Sequence, residues 1–280
     1  MEKSIYIHKR NNKKELFSFE KLKKSLFAAG ANNDLVKVIV SKIQSEVYNG
    51  ITSDIIYKKA FTFLKKHHRT SASRYSLKRA IFDLGPTGYP FEKLVGALLR
   101  EKGYKTQVSV ILEGICVTHE IDVLAEKEGN IFAIECKFHS DSRKISGVKI
   151  PLYINSRFLD VQEKWNSNTK NQTHLTQGWL VTNTRFSEDA INYGKCVDLN
   201  LLSWDYPKNN GLKANIDAYA LYPITTLTTL SKKEKHLLIE ANIVLVKELQ
   251  AASREMKHIG LSDLRINRVL DETKNMCPLK

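Results

Sequence analysis

HEIDVLAEKEGNIFAIECKFH, residues 119–139, decides how the middle of this chain folds. With the residues just before it, the stretch makes two runs, ICVTHEIDVLAE and NIFAIECKF, both rich in β-branched and aromatic residues. They flank Lys127-Glu128-Gly129-Asn130, which predicts a β-hairpin. A two-residue loop at Glu128-Gly129 sets Asp122 directly opposite Glu135. A three-residue loop moves Asp122 to a diagonal position still within reach. Glu135 and Lys137 are two apart and share a strand face, so two carboxylates and an ammonium converge where buried strand would favour valine and isoleucine.

Two carboxylates on adjacent strands form an oxygen-rich site suited to a hard divalent cation, Mg²⁺ (or Mn²⁺). Such an ion polarises a phosphate and lowers the pKa of a bound water, and Lys137 beside it is placed to orient that water or to neutralise developing charge. That is the chemistry of phosphodiester hydrolysis. A D…ExK spacing alone more often marks a solvated face or a structural ion pair. Neighbouring features weigh against that reading here. Cys136 and Phe138 leave the opposite strand face apolar. Upstream, YPFEKLVGALLREKGY predicts a helix with Pro90 in its first turn, Phe91, Leu94, Val95, Leu98 and Leu99 on one face, and Gly103 as its stop. Glu92 in that first turn can add a third carboxylate.

FEKLVGALLREKGY, HEIDV, IECKFH and QGWLVTNTRFSEDAINYG together resemble the Mrr-type branch of the PD-(D/E)xK nucleases, over roughly residues 86–206. The resemblance implies an α/β core with a central mixed sheet and a metal site of Glu92, Asp122 and Glu135, with Lys137 as the ExK lysine. It also implies a glutamine after the ExK strand, for which Gln177 is the candidate and Gln172 the alternative. Many Mrr sequences carry glutamine where Glu135 stands, so this chain departs toward the commoner superfamily form. His119 and His139 bracket the site and read as incidental. Ser-His-Asp chemistry has no supporting nucleophile turn.

The chain of 280 residues is long enough for two or three domains, and its net charge of +14 points to a polyanionic partner. Residues 1–84 hold 18 Lys and Arg against 7 Asp and Glu. IHKRNNKKELFSFEKLKKSLFAAGA predicts a strand, a polar turn, a short strand and a helix beginning near Phe19 with Ser18 as N-cap. Basic residues in a turn beside a helix start make a seat for a polyphosphate, with Lys9, Arg10 and Lys21 as the candidates. With ASRYSLKRAI, this stretch resembles the ATP-cone, a nucleotide-binding regulatory domain, which implies ATP or dATP as ligand. Asn11-Asn12 stand where that family has Asp-Gly, and asparagine tolerates the left-handed backbone such a turn needs. A structural basic domain contacting DNA phosphates directly is the alternative.

The expected organisation is an α+β ATP-cone-like domain over 1–85, the nuclease core over 86–206, a linker over 207–230 marked by Pro207, Gly211 and Pro223, and a small all-α domain over 231–280. The last resembles helix-hairpin-helix domains that hold DNA by backbone amides, with breaks at Ala241-Asn242 and Ile259-Gly260; a helical packing or dimerisation domain reads equally well. No apolar run is long enough for a bilayer and the N-terminus lacks a secretory core, so a cytoplasmic protein without a membrane partner is expected. Cys116, Cys136, Cys196 and Cys277 lie far apart and are expected to be reduced core residues. Cutting both strands of DNA needs two sites, which implies a homodimer at least. The rival functions are an inactive, nucleotide-responsive DNA-binding regulator and a structure-specific nuclease acting on junctions or RNA.

Overall fold

The computed structural model describes residues 5–9 and 13–278 and divides into two compact units. One comprises Met1–Ala80, Ile224–Leu238 and Val246–Lys280; the other comprises Ile81–Pro223 and Ile239–Leu245.

The first unit begins with β1 (Tyr6–His8) and β2 (Lys14–Leu16), an antiparallel pair with Ile7 opposite Glu15. Helix α1 (Phe19–Ala28) starts where the sequence places it, because Ser18 Oγ accepts the Lys21 N–H at 3.2 Å. Asn32 and Thr52 cap α2 (Asn33–Glu46) and α3 (Ser53–His67) in the same way. Two short helices follow, α4 (Arg69–Tyr75) and α5 (Leu77–Phe82). Leu22, Leu26, Ile39, Ile43, Ala60 and Leu64 share one core. Each large aliphatic chain so buried contributes roughly 1.5–3 kcal/mol.

In the second unit, α6 (Tyr89–Glu101) buries Phe91, Leu94, Val95, Leu98 and Leu99 as its periodicity predicts, and Gly103, at φ 85°, ends it. Three antiparallel strands follow, β3 (Lys105–Glu113), β4 (Thr118–Lys127) and β5 (Asn130–Lys137). After the short β6 (Ile145–Ser146), α7 (Lys149–Ser167) provides the crossover that parallel pairing requires. The chain continues through β7 (His174–Thr182), β8 (Arg185–Phe186), α8 (Glu188–Cys196), β9 (Asn200–Leu202) and α9 (Leu212–Tyr219). The result is a mixed five-stranded sheet of order β3-β4-β5-β7-β9, the central sheet expected, with β5, β7 and β9 parallel. Val161 of α7 packs on Ile121, Leu124, Ile131 and Ala133 of the sheet.

Three expectations need correction. Residues 207–230 are no linker: α9 lies within them, and Leu212, Ile216, Leu221 and Ile224 are fully buried. The Pro, Gly and Asn residues that suggested a loop punctuate an apolar pattern that packs. The last helices, α10 (Lys232–Glu240), α11 (Ser253–His258) and α12 (Asp263–Met276), do break near Asn242 and Gly260, both left-handed. They pack in one compact unit with the N-terminal residues, since Ile224–Leu238 and Val246–Lys280 cluster with them. Thr225 Oγ1 donates to Ala80 O at 2.7 Å, and Glu272 of α12 accepts from Ser73 Oγ at 2.8 Å. The cysteines are free as expected, but Cys116 and Cys196 are exposed and only Cys277 is buried. No helix among the described residues is long and apolar enough to cross a membrane.

Candidate active site

The β4–β5 hairpin has the predicted register. Glu128 and Gly129 occupy its two-residue turn, both left-handed at φ 53° and 77°, and pairs run from Lys127–Asn130 to Val123–Ile134. The regular ladder stops there, one step before Asp122 and Glu135. In place of a ladder bond, Asp122 Oδ2 accepts the Cys136 N–H at 2.6 Å, which fixes the carboxylate across the opening between the strands. Strand β3 is also irregular at this level. Ser109, between Val108 and Val110, which pair with Val123 and Ile121, takes the left-handed backbone at φ 55°, and its side chain hydrogen-bonds Glu92. A strained non-glycine residue inside a strand is a feature that functional sites retain.

Glu135 is 8% exposed. Its Oε2 accepts Arg157 Nη1 at 2.7 Å, whereas Oε1 is buried without any hydrogen-bond partner. Burial, and then the charge of Asp122, push its carboxyl up to about 8 despite Arg157. Glu92 rises to about 7 through burial and then the charges of Asp122 and Glu120. Asp122 is raised too, burial outweighing the Cys136 N–H and Arg157. Lys137, two residues beyond Glu135 on the same strand face, is exposed, and its charge favours ionised Asp122.

Glu92, Asp122, Glu135 and Lys137 are thus neighbours, as expected, but among the described residues no three His, Cys, Asp or Glu side chains close into a ready-made metal cage. The donor set nevertheless fits a hard cation. Magnesium needs only one or two protein carboxylates beside water and phosphate, and the unpartnered Glu135 oxygen leaves one donor uncommitted.

Gln177 is not part of this constellation. It pairs with Phe132 rather than near Glu135, whose partner is Leu180, and its Nε2 donates to Asp198 O and Oδ1, each at 3.2 Å. Three residues of strand separate it from the site, on the order of 10 Å. Gln172 precedes β7 and lies further toward that end. Sequence reasoning also missed residues that the fold brings in. Arg157 of α7 reaches Glu135, and Glu120 adds a fourth carboxylate nearby. His119, read as incidental, is 2.7 Å from Asp160 through Nε2 and accepts from Arg157 Nε at 3.4 Å through Nδ1. His139 has a supporting place: Asn183 clamps its backbone on both sides, at 2.8 Å each, and its Nε2 is 3.0 Å from Ser146 Oγ.

In the N-terminal domain, Lys9 and Lys21 do converge, and the residue they meet is Glu15. Lys21 Nζ is 3.0 Å from Glu15 Oε1, and Lys9 also ion-pairs with this carboxylate. Hydrogen bonds from Lys9 and then Lys21 hold Glu15 below the usual carboxylate range. Arg10 and Asn11-Asn12 lie outside the described residues.

Comparison with known proteins places this architecture. Residues 5–82 match the ATP cone domain, which implies binding of ATP or dATP and suggests a nucleotide-regulated protein. Residues 222–277 match the domain described as AF1548-like, C-terminal. A protein of Archaeoglobus fulgidus, described as uncharacterized, is 38% identical over 180 residues, 64% of this chain and 97% of that protein. A crystal structure described as that of a protein of unknown function, AF1548, has 36% identity and a TM-score of 0.56, covering 68% of this chain and 98% of that one. The chain belongs to the AF1548-like family and carries an ATP cone at its N-terminus. Neither match extends over residues 86–206, so the likeness to Mrr rests on the motif residues.

Proposed function

We propose that this protein is a Mg²⁺- or Mn²⁺-dependent DNA endonuclease governed by ATP or dATP at its ATP cone, of the restriction or phage-defence kind that the likeness to Mrr implies. The observation that carries the reading is Glu135, buried with one carboxylate oxygen unpartnered beside Asp122 on the adjacent strand. Asp122 and Glu135 would hold the divalent ion, with Glu92 binding or positioning it from α6. When bound, the ion supplies charge for the scissile phosphate and a more acidic water. The Cys136 N–H keeps Asp122 in place without competing for its second oxygen. Lys137 sits at the open end of β5, where its ammonium orients the attacking water and offsets the negative charge gathering on phosphorus. The net charge of +14 draws a polyanion to the surface. The first test is nicking and linearisation of methylated and unmethylated plasmid with Mg²⁺ or Mn²⁺, with and without ATP or dATP. Metal-dependent cutting supports the reading; DNA binding with no cutting of any substrate rejects it.

One observation favours a second reading, an inactive, nucleotide-responsive DNA-binding regulator. The Arg157 guanidinium already occupies one oxygen of Glu135. On that reading, divalent ions do not bind at all, which calorimetry decides.

Two smaller effects follow. With carboxyls raised to about 7 and 8, Glu92 is about half and Glu135 mostly protonated at neutral pH when no cation is present. An incoming divalent ion must displace those protons, so its affinity rises between pH 6 and 8.5 and binding releases protons. Without metal the same groups bind more protons folded than unfolded, so their contribution to stability falls as pH climbs from about 4.5 toward 8. Calorimetry in buffers of differing ionisation enthalpy measures the release; pH-independent affinity sinks the idea. At the ATP cone, Glu15→Gln frees Lys9 and Lys21 for phosphate and tightens ATP binding severalfold, since exposed, solvent-screened pairs of this kind are weak and easily exchanged. Weaker binding by that variant would remove both lysines from the nucleotide seat.

A further inference from the structure

Arg157 spends its guanidinium in an unusual way. A buried arginine and carboxylate commonly meet through two parallel hydrogen bonds, which satisfy both oxygens. Here only Nη1 goes to Glu135, at 2.7 Å to Oε2. Nη2 donates to the Glu120 backbone carbonyl at 2.5 Å, Nε donates to His119 Nδ1 at 3.4 Å, and the group lies 5.6 Å from the Tyr153 ring centre. The second oxygen of Glu135 is left buried and bare.

The support behind Arg157 is built in the same manner. Because His119 Nδ1 accepts from Arg157, its proton sits on Nε2, which faces Asp160 Oδ2 at 2.7 Å. Asp160 follows Arg157 by three residues on the same helix side and also accepts the Cys116 and Val117 N–H groups, at 2.8 and 3.3 Å, in the β3–β4 turn. A Cβ at Gly114 would collide with Asp160 Oδ2, so the turn needs glycine there for the carboxylate to come this close. The chain Asp160, His119, Arg157, Glu135 therefore runs from that turn to the site, with side chains at most 17% exposed.

We propose that Arg157, held by His119 and Asp160, is the positioning residue that clamps Glu135 by Oε2 so that Oε1 is presented to a divalent cation. This rests on the metal-dependent reading of the site. Groups that orient a ligating carboxylate are typically worth 10–100-fold in metal affinity.

The test is Mn²⁺ and Mg²⁺ binding by calorimetry on the full chain, with folding checked by circular dichroism. Arg157→Ala weakens Mn²⁺ binding about 10–100-fold and methylguanidinium restores part of it, which loss of packing alone would not allow. Asp160→Asn acts in the same direction by a smaller factor, and carries the test if Arg157→Ala fails to fold. Glu135→Gln loses binding altogether. Unchanged or tighter Mn²⁺ binding by Arg157→Ala, with Glu135→Gln still defective, overturns the positioning role and leaves the metal site standing. Mn²⁺ binding by Glu135→Gln at the level of the unaltered chain overturns the metal reading and this role with it.

Discussion

Lys137→Ala is expected to bind Mn²⁺ like the unaltered protein and yet cut DNA roughly 10²–10³-fold more slowly, the usual loss when one preorganised charge or donor is taken from a phosphoryl or acyl transition state. Asp122→Asn and Glu135→Gln lose both binding and cutting, and lose at least as much rate. The separation follows from position. Glu135 is buried with an unpartnered oxygen and Asp122 is fixed by the Cys136 N–H, the places that the proposed function gives to ligands. Lys137 stands two residues on, at the exposed end of the same strand face, where a substrate phosphate rather than a cation would meet it. The measurements are initial nicking rates at saturating Mg²⁺ beside a calorimetric titration of each variant. Equal cutting by all three variants and the unaltered chain would remove this site from the chemistry.

Much of that site was legible in the hairpin itself. A glycine in a two-residue turn fixes register, register fixes which side chains face each other, and alternation fixes the face. Those three rules sufficed to set Asp122 against Glu135 and to put Lys137 beside them. They fail where pairing depends on a crossover. Strand β7 reaches β5 only after the 19 residues of α7, and no turn chemistry fixes the parallel register, so the sequence offers Gln177 for the site while the fold sets it three residues away. Arg157 was hidden for the same reason, since helical spacing shows its company with Asp160 but not which strand carboxylate it will meet. The C-terminal segment shows a different limit. Its helices and breaks were readable from periodicity and from Gly260, yet their partner was not. A helix with an amphipathic face states that it must pack and not against what. Glu272, inside the apolar face of α12, was the clue, because a charge there demands donors from elsewhere.

Glu272→Gln is accordingly expected to destabilise the first unit by about 3 kcal/mol, and Glu272→Ala by at least as much. The carboxylate is 4% exposed and accepts from Ser73 Oγ at 2.8 Å, from the Thr228 N–H and Oγ1 at 2.9 Å, and from the Thr229 N–H at 2.9 Å. An amide turns one acceptor into a donor facing donors, and alanine leaves the buried Ser73 hydroxyl and the half-buried Thr228 and Thr229 donors without this acceptor. Burial alone would raise its pKa, but the backbone bond from Thr228 and those from Ser73 and Thr228 Oγ1 outweigh it and hold the group below the usual carboxylate range. The sign then fixes the pH window. A depressed folded value means the stabilisation is complete above the unfolded pKa near ~4.3 and is lost as pH falls through the folded one. The unaltered protein should therefore lose midpoint temperature as acid is added below about pH 5, and Glu272→Gln should be flatter over the same range while starting lower. Ser73 belongs to α4 of the ATP cone and Glu272 to α12 of the AF1548-like segment, so this carboxylate is, with the Thr225–Ala80 hydrogen bond, a polar tie between the two family domains within one unit. Thermal unfolding from pH 3.5 to 7.5 measures both effects. A Glu272→Gln midpoint within a degree of the unaltered protein throughout would mean that the donors find water instead, and that the two segments are held together by their apolar contacts.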